Sequence, residues 1–115
     1  MAFDYELLAE MSQITTTTGI LYTHSTGSKS YVRTFMMHNS SDASIDVELY
    51  KVPDNGGAVG VASTANRFYK DSIVSEDTVF IEIPVPGMLM TGTNDTIQGY
   101  TSASGINYEI YGGRE

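Results

Sequence analysis

The stretch spanning residues 30–57, SYVRTFMMHNSSDASIDVELYKVPDNGG, constrains this chain more than any other. Two runs rich in β-branched, aromatic and other apolar residues flank a polar break at residues 39–44, and a second break follows at 53–57. In the second run Ile45, Val47 and Leu49 alternate with Asp46, Glu48 and Tyr50. A period of two puts the aliphatic side chains on one face of a strand and the carboxylates on the other. The break NSSDAS is made of residues that bond their own backbone and favour turns. Residues 31–38 and 45–52 therefore read as an antiparallel hairpin with one buried face, against which the rest of the chain is laid.

The remaining segments repeat the theme. Residues 13–23 (QITTTTGILYT) carry four consecutive threonines and read as a strand interrupted at Gly19. A turn built on Gly27 leads into the hairpin. The loop 53–65 holds Asn55-Gly56, a pair favoured where the backbone needs positive φ, and a short strand is expected at 59–62. Residues 66–74 read as a strand with Phe68 and Ile73 as core contacts. In 78–83 Val79, Ile81 and Ile83 share a face, and Pro84 and Pro86 end that strand or confine it to an edge. A short apolar segment starts at 87–90, a turn follows at 91–95, and residues 96–103 and 106–111 are the last strands. In the final one Tyr108 and Ile110 share a face opposite Asn107, Glu109 and Tyr111. About seven or eight short strands with regular turn signals are the pattern of an all-β, antiparallel β-sandwich or jelly roll. No βαβ alternation is visible.

Residues 1–12 (MAFDYELLAEMS) differ from the rest. Phe3, Leu7 and Met11 recur at helical spacing with Leu8 beside them, and Asp4 and Glu6 suit the positive end of a helix. The segment reads as a short helix over one end of the sandwich or as an arm docking on a neighbouring chain, ahead of one β-sandwich domain at 13–115. It has neither a basic n-region nor a continuous apolar h-region, so no signal peptide is expected.

Composition narrows the function classes. The chain has 115 residues, one domain's worth, and a net charge of −8 with no basic cluster, so a nucleic-acid partner is not expected. No apolar run is long enough to span a bilayer, and no membrane partner is expected. Without cysteine there is no disulfide or thiol chemistry. His24 and His38 are the only histidines, and neither HExxH spacing nor a Gly-x-Ser-x-Gly elbow accompanies them. Gly27-Ser28-Lys29-Ser30 imitates the end of a P-loop, but Tyr22 stands where the leading glycine belongs and a strand follows. The acidic turns Asp54-Asn55-Gly56-Gly57 and Thr93-Asn94-Asp95 lack the spacing of a calcium loop. We therefore expect no catalytic residues, no metal, no cofactor and no enzyme. Asp46, Glu48, Glu82 and Glu109 are expected on outward faces, guarding strand edges. Tyr50, Tyr100 and Tyr111 are expected to point outward too.

One resemblance can be stated on particular residues. They are Gly19-Ile20-Leu21-Tyr22-Thr23, Gly27 leading into Tyr31-Val32-Arg33, Asn39-Ser40-Ser41, and Val47-Glu48-Leu49-Tyr50-Lys51-Val52-Pro53 with Gly56-Gly57. Asn66-Arg67, Thr96-Ile97, Ser102-Ala103 and Tyr111-Gly112 complete the set. Over residues 15–113 the chain resembles small all-β virion proteins of tailed bacteriophages, which decorate capsids or occur in tails. It departs from their pattern at Asn94-Asp95, where they carry Gly-Asp. The resemblance implies a structural virion protein, foremost a capsid decoration (cement) protein on the outside of a phage head. It would bind the major capsid protein or other virion proteins as a homo-oligomer, a trimer first of all. The alternative it implies is a tail, fibre or baseplate module that recognises host carbohydrate through Tyr100, Tyr111 and the loops 53–65 and 91–95. Residues 1–12 lie outside the pattern, and their apolar side chains Phe3, Tyr5, Leu7, Leu8 and Met11 are the expected docking residues.

Overall fold

A computed structural model describes residues 6–24, 29–84 and 87–114. Among these residues there are nine strands: β1 (Glu6–Gln13), β2 (Gly19–Thr23), β3 (Ser30–Asn39), β4 (Ile45–Val52), β5 (Arg67–Ile73), β6 (Thr78–Glu82), β7 (Met88–Met90), β8 (Thr96–Thr101) and β9 (Ile106–Arg114). They form two antiparallel sheets, as the alternating runs predict. The five-stranded sheet has the order β1-β9-β3-β6, with β7 also paired to β3, and the four-stranded sheet has the order β2-β8-β4-β5. The single helical element described is a 3-10 turn at Thr64–Asn66.

The expected hairpin of residues 31–38 and 45–52 does not exist. β3 and β4 lie in different sheets, and the chain changes sheet at every connection except β4–β5 and β6–β7. The reason sits in the polar break. Asn39 is fully buried, and its Oδ1 accepts from Ser41 N at 2.9 Å and from Ser41 Oγ at 2.7 Å. Its Nδ2 donates to the carbonyls of Ala43 and Ile73, each at 2.8 Å. One amide thus satisfies the backbone of an arch over the core rather than of a two-strand turn.

The N-terminal segment is the second correction. Residues 6–13 are a strand paired antiparallel with β9, not a helix, and the division expected between residues 12 and 13 falls inside it. A helix that short is marginal in water. As a strand it pairs backbone groups along β9 and buries Leu8 in the core. Gly112 makes room for this, since a Cβ there would meet Leu8 Cδ1 at 2.9 Å and the carbonyl oxygen of Tyr31 at 1.9 Å.

Other expectations shift locally. The threonines 15–18 form an exposed crossover between sheets, not a strand, anchored by buried Ile14, whose amide donates to Ile106 O at 2.9 Å. Residues 59–62 form no strand. The turn at Gly27 lies outside the described residues, as does Pro86. Pro84 does end an edge strand: β6 and β7 both pair with β3, one after the other, and Gly87 between them has φ 114.

The core lies between the sheets. Val32, Phe35 and Met37 of β3 meet Val47 and Leu49 of β4, with Ile97, Ile106 and Ile110 around them, all with no exposed surface. The inward set on β3 changes parity at Arg33, where the register with β9 slips by one residue. Ile73 is buried as expected, and the Phe68 ring lies 5.7 Å from that of Phe35.

Candidate interaction surface

A half-buried antiparallel sheet ordinarily turns polar side chains to water. The five-stranded sheet also turns large apolar side chains outward. Leu89 lies between the inward Met88 and Met90, and Phe80 between the inward Val79 and Ile81, so both point outward. Register then places Leu89 beside Tyr31, Phe80 beside Met36, and Leu7 beside Tyr111. Met11 lies in the irregular half of β1 nearby. Leu7, Met11, Phe80 and Leu89 remain 41%, 52%, 61% and 43% exposed. At the ~4.8 Å spacing of strands the patch reaches across the sheet for about 15 Å.

Two acidic charges lie on this face. Glu82 lies beside Thr34, which pairs across β3 with Tyr111, and Glu109 lies beside Met36. Glu109 accepts the phenolic hydrogen of Tyr111. His38 Nδ1 and Thr78 Oγ1 are hydrogen-bonded at 2.8 Å.

Of the expected docking residues, Leu7 belongs to this face, and Met11 is exposed in the irregular part of β1. Leu8 does not belong to it: it is a core residue, because alternation along β1 turns it inward when its neighbour Leu7 faces out. Phe3 and Tyr5 lie outside the described residues. Phe80, Leu89, Met36 and Tyr31 were not foreseen, although Phe80 carried a signal. Val79, Ile81 and Ile83 on the core face leave a large aromatic residue on the other.

The four-stranded sheet is more polar outside. Tyr50 lies on the same side of β4 as Glu48 but is buried there, its hydroxyl donating to Glu48 Oε1 at 2.6 Å, while Arg67 bridges the same oxygen at 3.2 Å. The bond from Tyr50 leads in holding the Glu48 carboxyl below its ordinary value, against burial and with help from Arg67; the same bond, with burial, raises Tyr50. Tyr100 and Tyr111 are partly exposed. Asp46 and Glu48 on β4 and Glu109 on β9 sit on interior strands and guard no edge; Glu82 alone of the four is on an edge strand.

The remaining candidates are tied up in the fold. Asp95 Oδ1 accepts the amide of Asp54 at 2.8 Å, and Oδ2 accepts those of Gly92 at 2.9 Å and Thr91 at 3.3 Å. Asp54 Oδ1 takes Asn94 Nδ2 at 3.0 Å. These carboxylates bind backbone and latch two loops together. His24 is buried with its Nδ1 2.7 Å from Ser30 Oγ, which is 2.8 Å from Tyr22 OH. The bond between Tyr22 and Ser30 ties β2 of one sheet to β3 of the other. Among the described residues no group of three or more His, Asp or Glu is placed to hold a metal ion. No helix among them is long and apolar enough to cross a membrane. No family model matches this chain, and no curated protein or solved structure is significantly similar to it.

Proposed function

We propose that this is a structural, non-enzymatic protein that acts through the outward face of its five-stranded sheet. Its role would be that of a capsid decoration protein of a tailed bacteriophage. The observation that carries the reading is that Leu7, Phe80 and Leu89 all stand exposed on the outward face of one sheet. Large apolar side chains left on one face of a folded domain suit contact with another surface. The resemblance to small phage virion proteins supports the head as the place, and the major capsid protein as the surface met. Seated on the outside of the shell as a small oligomer, a trimer first of all, the protein would bridge neighbouring subunits. Repeated sites on a lattice turn weak single contacts into strong attachment.

The test is copy number: quantitative mass spectrometry of purified particles against the major shell subunit. A ratio comparable to that of the shell subunit is expected. A ratio far below it would overturn the decoration role in favour of a tail, fibre or baseplate module, and absence from particles would overturn the virion assignment.

A further inference from the structure

We propose that Asn55 is a site of spontaneous deamidation, converting to aspartate and isoaspartate in the folded protein. The argument begins with the turn it opens. Gly56 and Gly57 have φ 61 and 93, the pair of positive values that defines a type I′ turn. Asn55 and Ala58 close it, exchanging hydrogen bonds of 2.8 Å (Asn55 N to Ala58 O) and 3.2 Å (Ala58 N to Asn55 O). The amide of Gly57 donates to Asp54 Oδ2 at 3.0 Å.

Those bonds use the amides of Asn55, Gly57 and Ala58; they do not use that of Gly56. Gly56 is also the nitrogen that chemistry requires. Losing its proton, it attacks Asn55 Cγ, forming the C–N bond of a five-membered succinimide while the Cγ–amide bond breaks and ammonia leaves. Water then opens either carbonyl of the ring, giving aspartate if it adds at the side-chain carbon and isoaspartate if it adds at the main-chain carbon. No oxidant or cofactor enters. Glycine lacks the side chain that would obstruct the attack, and a Cβ at this position would have nothing within 4 Å. Both residues are exposed, so water reaches the ring.

The other four asparagines differ in each respect. Asn39 is buried and its amide is doubly bonded. Asn66 precedes Arg67 and accepts from Ser63 Oγ at 3.0 Å. Asn94 precedes Asp95 and its amide donates to Asp54. Asn107 precedes Tyr108 inside β9.

The conversion has a structural consequence. Isoaspartate inserts a methylene into the main chain between Asp54 and Gly57, which separates the partners of the Gly57–Asp54 bond and misaligns Asn55 with Ala58. It also sets a second carboxylate beside Asp54, the residue that latches this turn to the loop 91–95.

The experiment ages the full-length protein at mildly alkaline pH and physiological temperature and follows each asparagine by peptide mapping, with fragmentation that separates aspartate from isoaspartate. The expected result is loss of the amide at Asn55, with both products present, while the other asparagines stay intact. Retention at Asn55 while another site converts, or equal conversion at all sites, would overturn the proposal. Hydrogen exchange on the aged protein should show lost protection at the Gly57 amide. Unchanged protection there would overturn the structural consequence. The variant Asn55→Gln, aged in parallel, should keep that protection.

Discussion

Asn39 Nδ2 donates to the carbonyl of Ile73 across 2.8 Å, joining the end of β3 in one sheet to the end of β5 in the other. With the three further bonds of the same side chain, this contact decides that the chain arches between sheets at residues 39–44. Replacing Asn39 by alanine takes the side-chain donor from the Ile73 carbonyl and the acceptor from the Ser41 amide, a loss of about 3 kcal/mol. Urea unfolding should show the midpoint falling with the slope unchanged. An unaltered midpoint would remove Asn39 from this role.

Gly112 is required by space. A methyl group there would sit 1.9 Å from the Tyr31 carbonyl oxygen, a backbone atom that moves only if β3 and β9 part. Gly112→Ala should cost more than about 3 kcal/mol, beyond ordinary overpacking. Thermal melting followed by circular dichroism reads this directly, and a melt like that of the native chain would show that the strands separate more easily than the contact implies.

Asp95 gives the fold an acid-sensitive latch. Burial works to raise its carboxyl, but the amides of Gly92, Asp54 and Thr91, with Lys51 nearby, outweigh it and hold the carboxyl below its ordinary value. A carboxyl depressed in the folded state contributes stability that is fully present above about pH 4 and is lost as pH falls through the folded-state value. Asp95→Asn should lower stability at neutral pH by about 1 kcal/mol and narrow the gap to the native chain on acidification. A gap that stays constant from neutral to acid pH would rule out the latch.

Phe80 separates docking from folding. It is 61% exposed, so Phe80→Asp should change stability by no more than about 0.5 kcal/mol. On the proposed function, it should also abolish attachment to particles lacking the protein. Leu8→Ala should do the reverse to stability, costing about 2–3 kcal/mol, because Leu8 fills the core. Attachment of the Phe80 variant at native strength would move the docking surface elsewhere.

The alternation of Ile45, Val47 and Leu49 with polar neighbours was enough to read an all-β chain, and all three are fully buried. Tyr108 and Ile110 on one face of the last strand, and the edge position of the strand before Pro84, were equally legible. A period of two is a local property, enforced by the pleat wherever one face is dry.

Partner choice was not legible. Nothing local to residues 31–38 and 45–52 distinguishes a hairpin from two strands in facing sheets, because both bury the same aliphatic face. The difference is made by Ile73, more than thirty residues from Asn39, accepting its amide. Residues 6–13 show the same limit: their spacing admits a helix, and the unpaired side of β9 with a glycine at 112 makes them a strand. Alternation thus determined which side chains face inward within each strand, while hydrogen bonds between distant segments decided which strands meet. Those long-range contacts then gathered Leu7, Phe80 and Leu89 onto one face, since a surface shared by β1, β6 and β7 exists only once the sheet has assembled.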